Sequence, residues 1–220
     1  MLKVGIIGAG GIGSAHANCY KDIDAKVVAI ADIMPERAKR LADQFKADFY
    51  DNGDEIIRRK DVDVIDICVP TYLHSEFVIK AASAKKHVLC EKPMALTYEE
   101  GLRMIDAADK NGVKFMIAHV LRFFPEYIKA REVINSGSIG LPKMVRTYRG
   151  GPNPAIVREW YGYHGKSGGS IQDSLIHDID FLAWSFGQVK EVYAKGNIFK
   201  RKEPLDPEYD LYKAAGNKLP

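Results

Sequence analysis

Asp173 and His177 stand four residues apart in QDSLIHDID, Gln172 to Asp180. The residue pattern predicts one helix over 170–186, and residues four apart on a helix share a face and meet. A carboxylate beside an imidazole fixes its tautomer and raises its affinity for a proton, which makes an oriented base working near neutral pH. Asp180, three residues past His177, falls on the same broad face, and Asp178 points elsewhere. The alternative is an ion pair on a helix surface. A metal site is disfavoured, because no second histidine lies one turn away. Lys92 in CEKP is the other candidate: Glu91 beside it and the turn imposed by Pro93 direct it toward the ligand side of the fold, although a lysine there also suits plain solvation.

These groups need a scaffold, and the chain's first stretch supplies one. KVGIIGAGGIGSAH, Lys3 to His16, reads as a strand, a tight turn and a helix start. Gly8, Gly10 and Gly13 follow the order Gly-x-Gly-x-x-Gly, which serves a sharp turn, backbone approach to a pyrophosphate and close packing of helix on strand. The first N–H groups of that helix face the phosphate. A second strand over 26–31 ends in Asp32, 19 residues after Gly13 and near the spacing of an acid that accepts from ribose hydroxyls. Asp32 would repel a 2′-phosphate, and Ile33 and Met34 bring no arginine to receive one, so NAD is expected over NADP. The alternative is that Asp32 merely opens the helix over 34–45, where Pro35 suits the first turn.

Further strands over 62–69, 87–90 and 114–118 alternate with helices over 53–59, 73–84 and 98–111, the last opened by a Thr97/Glu100 capping box. Such alternation specifies an α/β fold, a doubly wound parallel sheet with helices on both faces. Gly8, Asp32, Pro70, Lys92 and His119 then fall at strand ends on one side. Beyond Phe124 a helix over 125–135, a loop over 136–140 and alternating segments over 142–149 and 189–199 suggest a second, incomplete α+β domain with an open mixed sheet. Residues 150–169, with Trp160, Tyr161, Tyr163 and His164, have the composition of a loop that closes over a polar ligand, or of an ordinary surface connection. The expected division is a dinucleotide-binding domain over 1–120, a substrate and oligomerisation domain over 121–199, and an irregular tail over 200–220.

With 220 residues, 46% of them hydrophobic, the chain can fill a sizeable core. A net charge of only +3, with both signs interspersed, argues against a nucleic-acid or membrane-binding face and for small-molecule partners. Cys19, Cys68 and Cys90 form no close pair, as expected in a reducing cytoplasm. No leader and no membrane-length apolar run is evident.

GAGGIG at 8–13, Asp32, VPTYLH at 69–74, EKP at 91–93, SGSIG at 136–140 and GGSIQDSLIHDIDFLAWSFG at 168–187 together resemble the Gfo/Idh/MocA oxidoreductases. Within that family the likeness is to myo-inositol and other sugar or polyol dehydrogenases. The resemblance implies NAD-dependent hydride transfer from a secondary alcohol, with Lys92, Asp173 and His177 as the catalytic residues. His177 would take the hydroxyl proton, Asp173 would orient it, and Lys92 would stabilise the developing alkoxide. It further implies cofactor contacts from Gly8, Gly10, Gly11, Ile12, Gly13, Asp32, Val69, Pro70, His74, Glu91, Lys92 and Pro93, with a cis Lys92–Pro93 peptide. Substrate contacts fall to Lys92, His119, Arg122, Tyr148, Trp160, Asp173 and His177, with Asn153 and Asp180 as further candidates. No metal is expected, and a homo-oligomer, dimer or tetramer, is. Members of the family carry on the order of a hundred further residues of C-terminal sheet. A dinucleotide sensor or interaction protein derived from such an enzyme is the alternative function.

Overall fold

The computed structural model describes residues 1–151 and 159–195. Asn153 and the expected tail over 200–220 lie outside the described residues. The chain divides into two units, Met1–Ala118 and His119–Pro220.

The first unit holds six parallel strands: β1 (Leu2–Ile7), β2 (Ala25–Ala31), β3 (Asp48–Tyr50), β4 (Val64–Ile67), β5 (His87–Cys90) and β6 (Phe115–Ile117). They lie in the order β3-β2-β1-β4-β5-β6. Helices α1 (Gly11–Cys19), α2 (Pro35–Phe45), α3 (Gly53–Arg58), α4 (His74–Ser83) and α5 (Tyr98–Asn111) connect them. Side chains alternate across each strand, so one sheet builds two cores. Val4, Ile6, Val27 and Ile30 pack with Ala17, Ala38 and Leu41 of α1 and α2. On the opposite face Ile7, Ile65 and Ile67 pack with Ile56, Val78 and Met104 of α3, α4 and α5. Burying each such large side chain contributes about 1.5–3 kcal/mol, which fixes the register of strands too short to stand alone. The strand order reverses direction at β1 and β4, so the carboxyl ends flanking that point form the crevice where ligands bind in this topology.

The predicted α5 ends are confirmed in detail. Thr97 Oγ1 accepts the Glu100 N–H at 3.2 Å and Glu100 Oε2 accepts the Thr97 N–H at 3.3 Å, and Gly112 closes the helix with φ 67°.

In the second unit the described elements are helices: α6 (Pro125–Asn135), α7 (His164–Ser167), α8 (Gly169–Asp173), α9 (Ile176–Phe186) and two short 3₁₀ turns, Val120–Phe123 and Glu159–Gly162. Two expectations change here. Residues 142–149 form no strand, and neither do 189–195, the described part of the segment expected over 189–199. Alternation marks a half-buried strand only when a partner strand takes up its backbone groups. Met144 and Tyr148 are instead 88% and 89% exposed. The single helix expected over 170–186 is broken into α8 and α9. The Ser174 and Leu175 N–H groups both donate to Ser170 O, at 3.0 and 3.1 Å, which ends α8. A fresh turn from Asp178 N–H to Leu175 O, 3.0 Å, begins α9.

Candidate active site

The glycine turn joins β1 to α1. Gly8 has φ +105°, a conformation L residues rarely adopt, and a Cβ there would stand 2.5 Å from Cys68 O. A Cβ on Gly13 would strike the Gly8 carbonyl oxygen, so α1 packs onto β1 only with glycine at that point. At Gly10 nothing lies within 4 Å of the Cβ position, leaving the mouth of the turn open in front of a nine-residue helix. Gly11 and Ile12 are exposed beside it. Open space over a helix N-terminus fits a pyrophosphate.

Asp32 follows β2 directly. Its Oδ2 accepts the Ala9 N–H at 2.8 Å and its Oδ1 accepts the Met34 N–H at 2.9 Å. The two readings of this acid are therefore compatible: it opens the α2 segment and clasps the glycine turn, and each oxygen keeps a lone pair for a ribose hydroxyl.

Val69 and Pro70 extend from β4, and Glu91, Lys92 and Pro93 from β5. The Lys92–Pro93 peptide is cis, matching the expectation from resemblance. His74, expected among the cofactor contacts, is 1% exposed, with Nδ1 2.8 Å from Pro93 O and Nε2 2.9 Å from Val69 O. The ring lies between the two loops, and its neutral form donates its one N–H to one of these carbonyls. Burial, only partly offset by those carbonyls, lowers its affinity for a proton below the ordinary histidine range.

In the second unit Asp173 is the last residue of α8 and buried, and His177 lies in the first turn of α9. They remain neighbours in sequence, but a same-face argument for one continuous helix no longer applies to them. Asp178 pairs with Arg149. Arg122 grips Asp180 with two bonds, Nε to Oδ2 at 2.8 Å and Nη2 to Oδ1 at 2.6 Å, and His119 Nδ1 is 3.7 Å from the same carboxylate. Hydrogen bonding to Asp180 raises the Arg122 pKa further above its usual range. The guanidinium also lies 5.8 Å from the Trp184 ring. Expected as separate substrate contacts, Arg122 and Asp180 form one bidentate unit. Trp160 stacks on Tyr161 with ring centroids 4.0 Å apart, whereas Tyr148 projects into solvent.

Residues 2–119 match the model of an oxidoreductase family with an NAD-binding Rossmann fold, Gfo/Idh/MocA. The chain belongs to that family. Residues 127–214 match the Gfo/Idh/MocA C-terminal domain. As a family member the chain is 34% identical over 205 residues to a myo-inositol 2-dehydrogenase of Thermotoga maritima, covering 92% of this chain and 60% of that protein. It is 35% identical to a 2,7-anhydro-N-acetylneuraminate hydratase of Escherichia coli, covering 87% of this chain and 51% of that protein. Among solved structures, a levoglucosan dehydrogenase in complex with NADH and L-sorbose superimposes with a TM-score of 0.75 at 30% identity, over 86% of this chain and 53% of that one. The chain thus spans between half and three fifths of these relatives' length. No helix among the described residues is long and apolar enough to cross a membrane.

One group of polar residues escaped the sequence reading. His16, Tyr20, Asp66, Cys68 and Glu91 converge beneath the glycine turn, with Asp66 0% exposed. The available signal was Asp66 itself, an acid at the centre of an apolar strand, where burial without a partner is prohibitive.

Proposed function

We propose that the protein transfers a hydride between NAD and a secondary alcohol of a cyclitol, sugar or sugar derivative. The observation that carries this reading is the placement of the glycine turn, Asp32 and Lys92 at the carboxyl ends of β1, β2 and β5, along one edge of a single parallel sheet. The relatives named above act on, or are solved with, inositol and sugar-like molecules, which supports the substrate class.

Gly8, Gly10, Gly11, Ile12 and Gly13 would hold the pyrophosphate, Asp32 the adenosine ribose, and Val69, Pro70 and Pro93 the nicotinamide half. When bound, NAD supplies the hydride acceptor at nicotinamide C4. His177 takes the hydroxyl proton as the carbon–hydrogen bond of the same carbon breaks, and Asp173 holds the imidazole in the accepting tautomer. The Lys92 ammonium holds the alcohol oxygen and stabilises the negative charge that grows there. His119, Tyr148 and Trp160 contribute substrate contacts, and Arg122 does so jointly with Asp180. The Asp32 carboxylate disfavours a 2′-phosphate, so NAD is preferred to NADP. We assign the protein to the reducing cytoplasm, where Cys19, Cys68 and Cys90 stay as the free thiols described. A homo-oligomer, dimer or tetramer, would cover Leu141, Met144, Val192 and Tyr193, which are 77–89% exposed.

Titration with NADH, followed by nicotinamide fluorescence, tests the cofactor. NAD reduction on a panel of polyols and sugars that includes myo-inositol tests the chemistry, with Lys92→Ala and His177→Ala each expected to lower it about 100- to 1,000-fold. Tight NADH binding with no turnover on any member of the panel would sink the enzyme reading and leave a dinucleotide-binding protein.

A further inference from the structure

Glu91 immediately precedes Lys92, and both of its carboxylate oxygens are engaged. Oε2 accepts the Lys92 N–H at 3.1 Å, and Oε1 lies 3.1 Å from His16 Nε2. The opposite nitrogen of the same ring, His16 Nδ1, lies 3.1 and 3.0 Å from the two oxygens of Asp66. Tyr20 Oη donates to Asp66 Oδ2 at 3.0 Å, and Cys68 Sγ stands 3.5 Å from both Asp66 Oδ1 and His16 Nδ1. One imidazole thus links β4, through Asp66, to the segment after β5, through Glu91.

Burial by itself would lower the proton affinity of His16. The hydrogen bonds to Asp66, Cys68 and Glu91 outweigh it and hold the ring well above the ordinary histidine range. An imidazolium has an N–H on each side, which satisfies both carboxylates at once. Buried ion networks of this kind add little net stability compared with apolar packing of the same volume, because desolvation offsets the attraction. What they do supply is direction.

That direction bears on Lys92. His16 lies on α1, the helix that begins at the glycine turn, and it grips the residue before Lys92, while His74 Nδ1 lies 2.8 Å from the carbonyl oxygen of the residue after it. We infer that His16 is a positioning residue: through Glu91 it sets the placement of Lys92 and ties that placement to the helix that receives the dinucleotide. The inference rests on the role proposed above for Lys92. His16, Asp66 and Cys68 also offer three ligand atoms within 4.8 Å of one another, a set that suits a metal. The distances from His16 Nδ1 to both Asp66 oxygens, with Tyr20 donating to one of them, are those of a bifurcated N–H donated to the carboxylate, and zinc titration separates the two readings.

The test compares wild type, His16→Gln, Lys92→Ala and the double variant, with His16→Asn as substitute if circular dichroism finds His16→Gln unfolded. Reductive dimethylation with ¹³C-formaldehyde and a borohydride reductant gives Lys92 an NMR signal, assigned by its loss in Lys92→Arg. The expected result is NADH affinity within about twofold of wild type, a displaced Lys92 signal, and loss of that signal's response to NADH. Where the polyol panel gives turnover, kcat falls about tenfold with a smaller change in KM, and His16→Gln costs less than about twofold on top of Lys92→Ala. A Lys92 signal and NADH response unchanged in folded His16→Gln overturns the inference, as does a full tenfold loss on the Lys92→Ala background. Tight zinc binding that His16→Gln abolishes overturns it as well, by making the cluster a metal site. If no substrate turns over, the enzyme proposal fails by itself, and the NMR comparison still decides the role of His16.

Discussion

Replacing Asp32 by Asn separates the two jobs of that residue. The carboxylate accepts one N–H on each oxygen, from Ala9 at 2.8 Å and from Met34 at 2.9 Å. Asparagine has a single oxygen, so one N–H must face an amide NH₂ group. Ala9 is 2% exposed, and water cannot readily replace the lost acceptor there. Losing one charge-assisted bond and stranding its donor costs about 2 kcal/mol. At roughly 2–4 °C per kcal/mol for a chain of this size, the apoprotein should melt about 4–8 °C lower in calorimetry. Asp32→Ala removes both acceptors and should cost more, about 3 kcal/mol. Both variants should also lose NADH affinity and preference for NAD over NADP. An Asp32→Asn apoprotein that melts with the wild type would refute the clasp between β2 and the glycine turn, whatever happens to cofactor binding.

Thr97→Ala breaks the capping box of α5 and should lower stability by about 1 kcal/mol in urea denaturation, with NADH affinity unchanged. Met104→Ala opens a void in a core where that side chain is 0% exposed, and about 2–5 kcal/mol should be lost by the same measurement. The two buried histidines give apoprotein stability opposite dependences on pH. His16 has a raised folded pKa, so its contribution is complete below about 6.5 and declines as pH climbs above it, and His16→Gln should flatten that alkaline fall. His74 has a lowered folded pKa, so its contribution is present above about 6.5 and is lost as pH drops below it, when the unfolded chain takes up the proton. Urea midpoints measured from pH 5 to 9 should therefore peak near neutrality. A profile that only rises through that range would contradict the His16 assignment, and one that only falls would contradict the His74 assignment.

Local sequence determined most of the first unit. Short apolar runs, the Gly-x-Gly-x-x-Gly turn, Asp32, the Thr97/Glu100 box and Gly112 each act over a few residues, and together they specify the strand–helix alternation that a parallel sheet buries. They also placed the glycine turn, Asp32 and Lys92 at strand ends, because handed connections put those ends on one edge. The second unit was less legible. The alternation over 142–149 resembled a strand, yet pairing depends on a partner segment that no local pattern supplies. The run over 170–186 has helical periodicity throughout, and its break at Ser174 and Leu175 is set by where backbone donors find acceptors.

Of the His16 network the sequence showed only Asp66, an acid within an apolar strand, and none of its pairings. Its members are drawn from positions 50 and 75 residues apart, His16 to Asp66 and His16 to Glu91, and each alone has an ordinary local reading. Asp66 is one polar residue in a strand, and His16 is one polar residue on a helix. Folding decides that they meet, since the sheet order sets β1 beside β4 and β4 beside β5 and the Gly13–Gly8 approach seats α1 against them. Spacing along the chain can place a lysine at a strand end; only the packed structure determines what holds it there, because a buried charge must find its partners across the fold and not along the sequence.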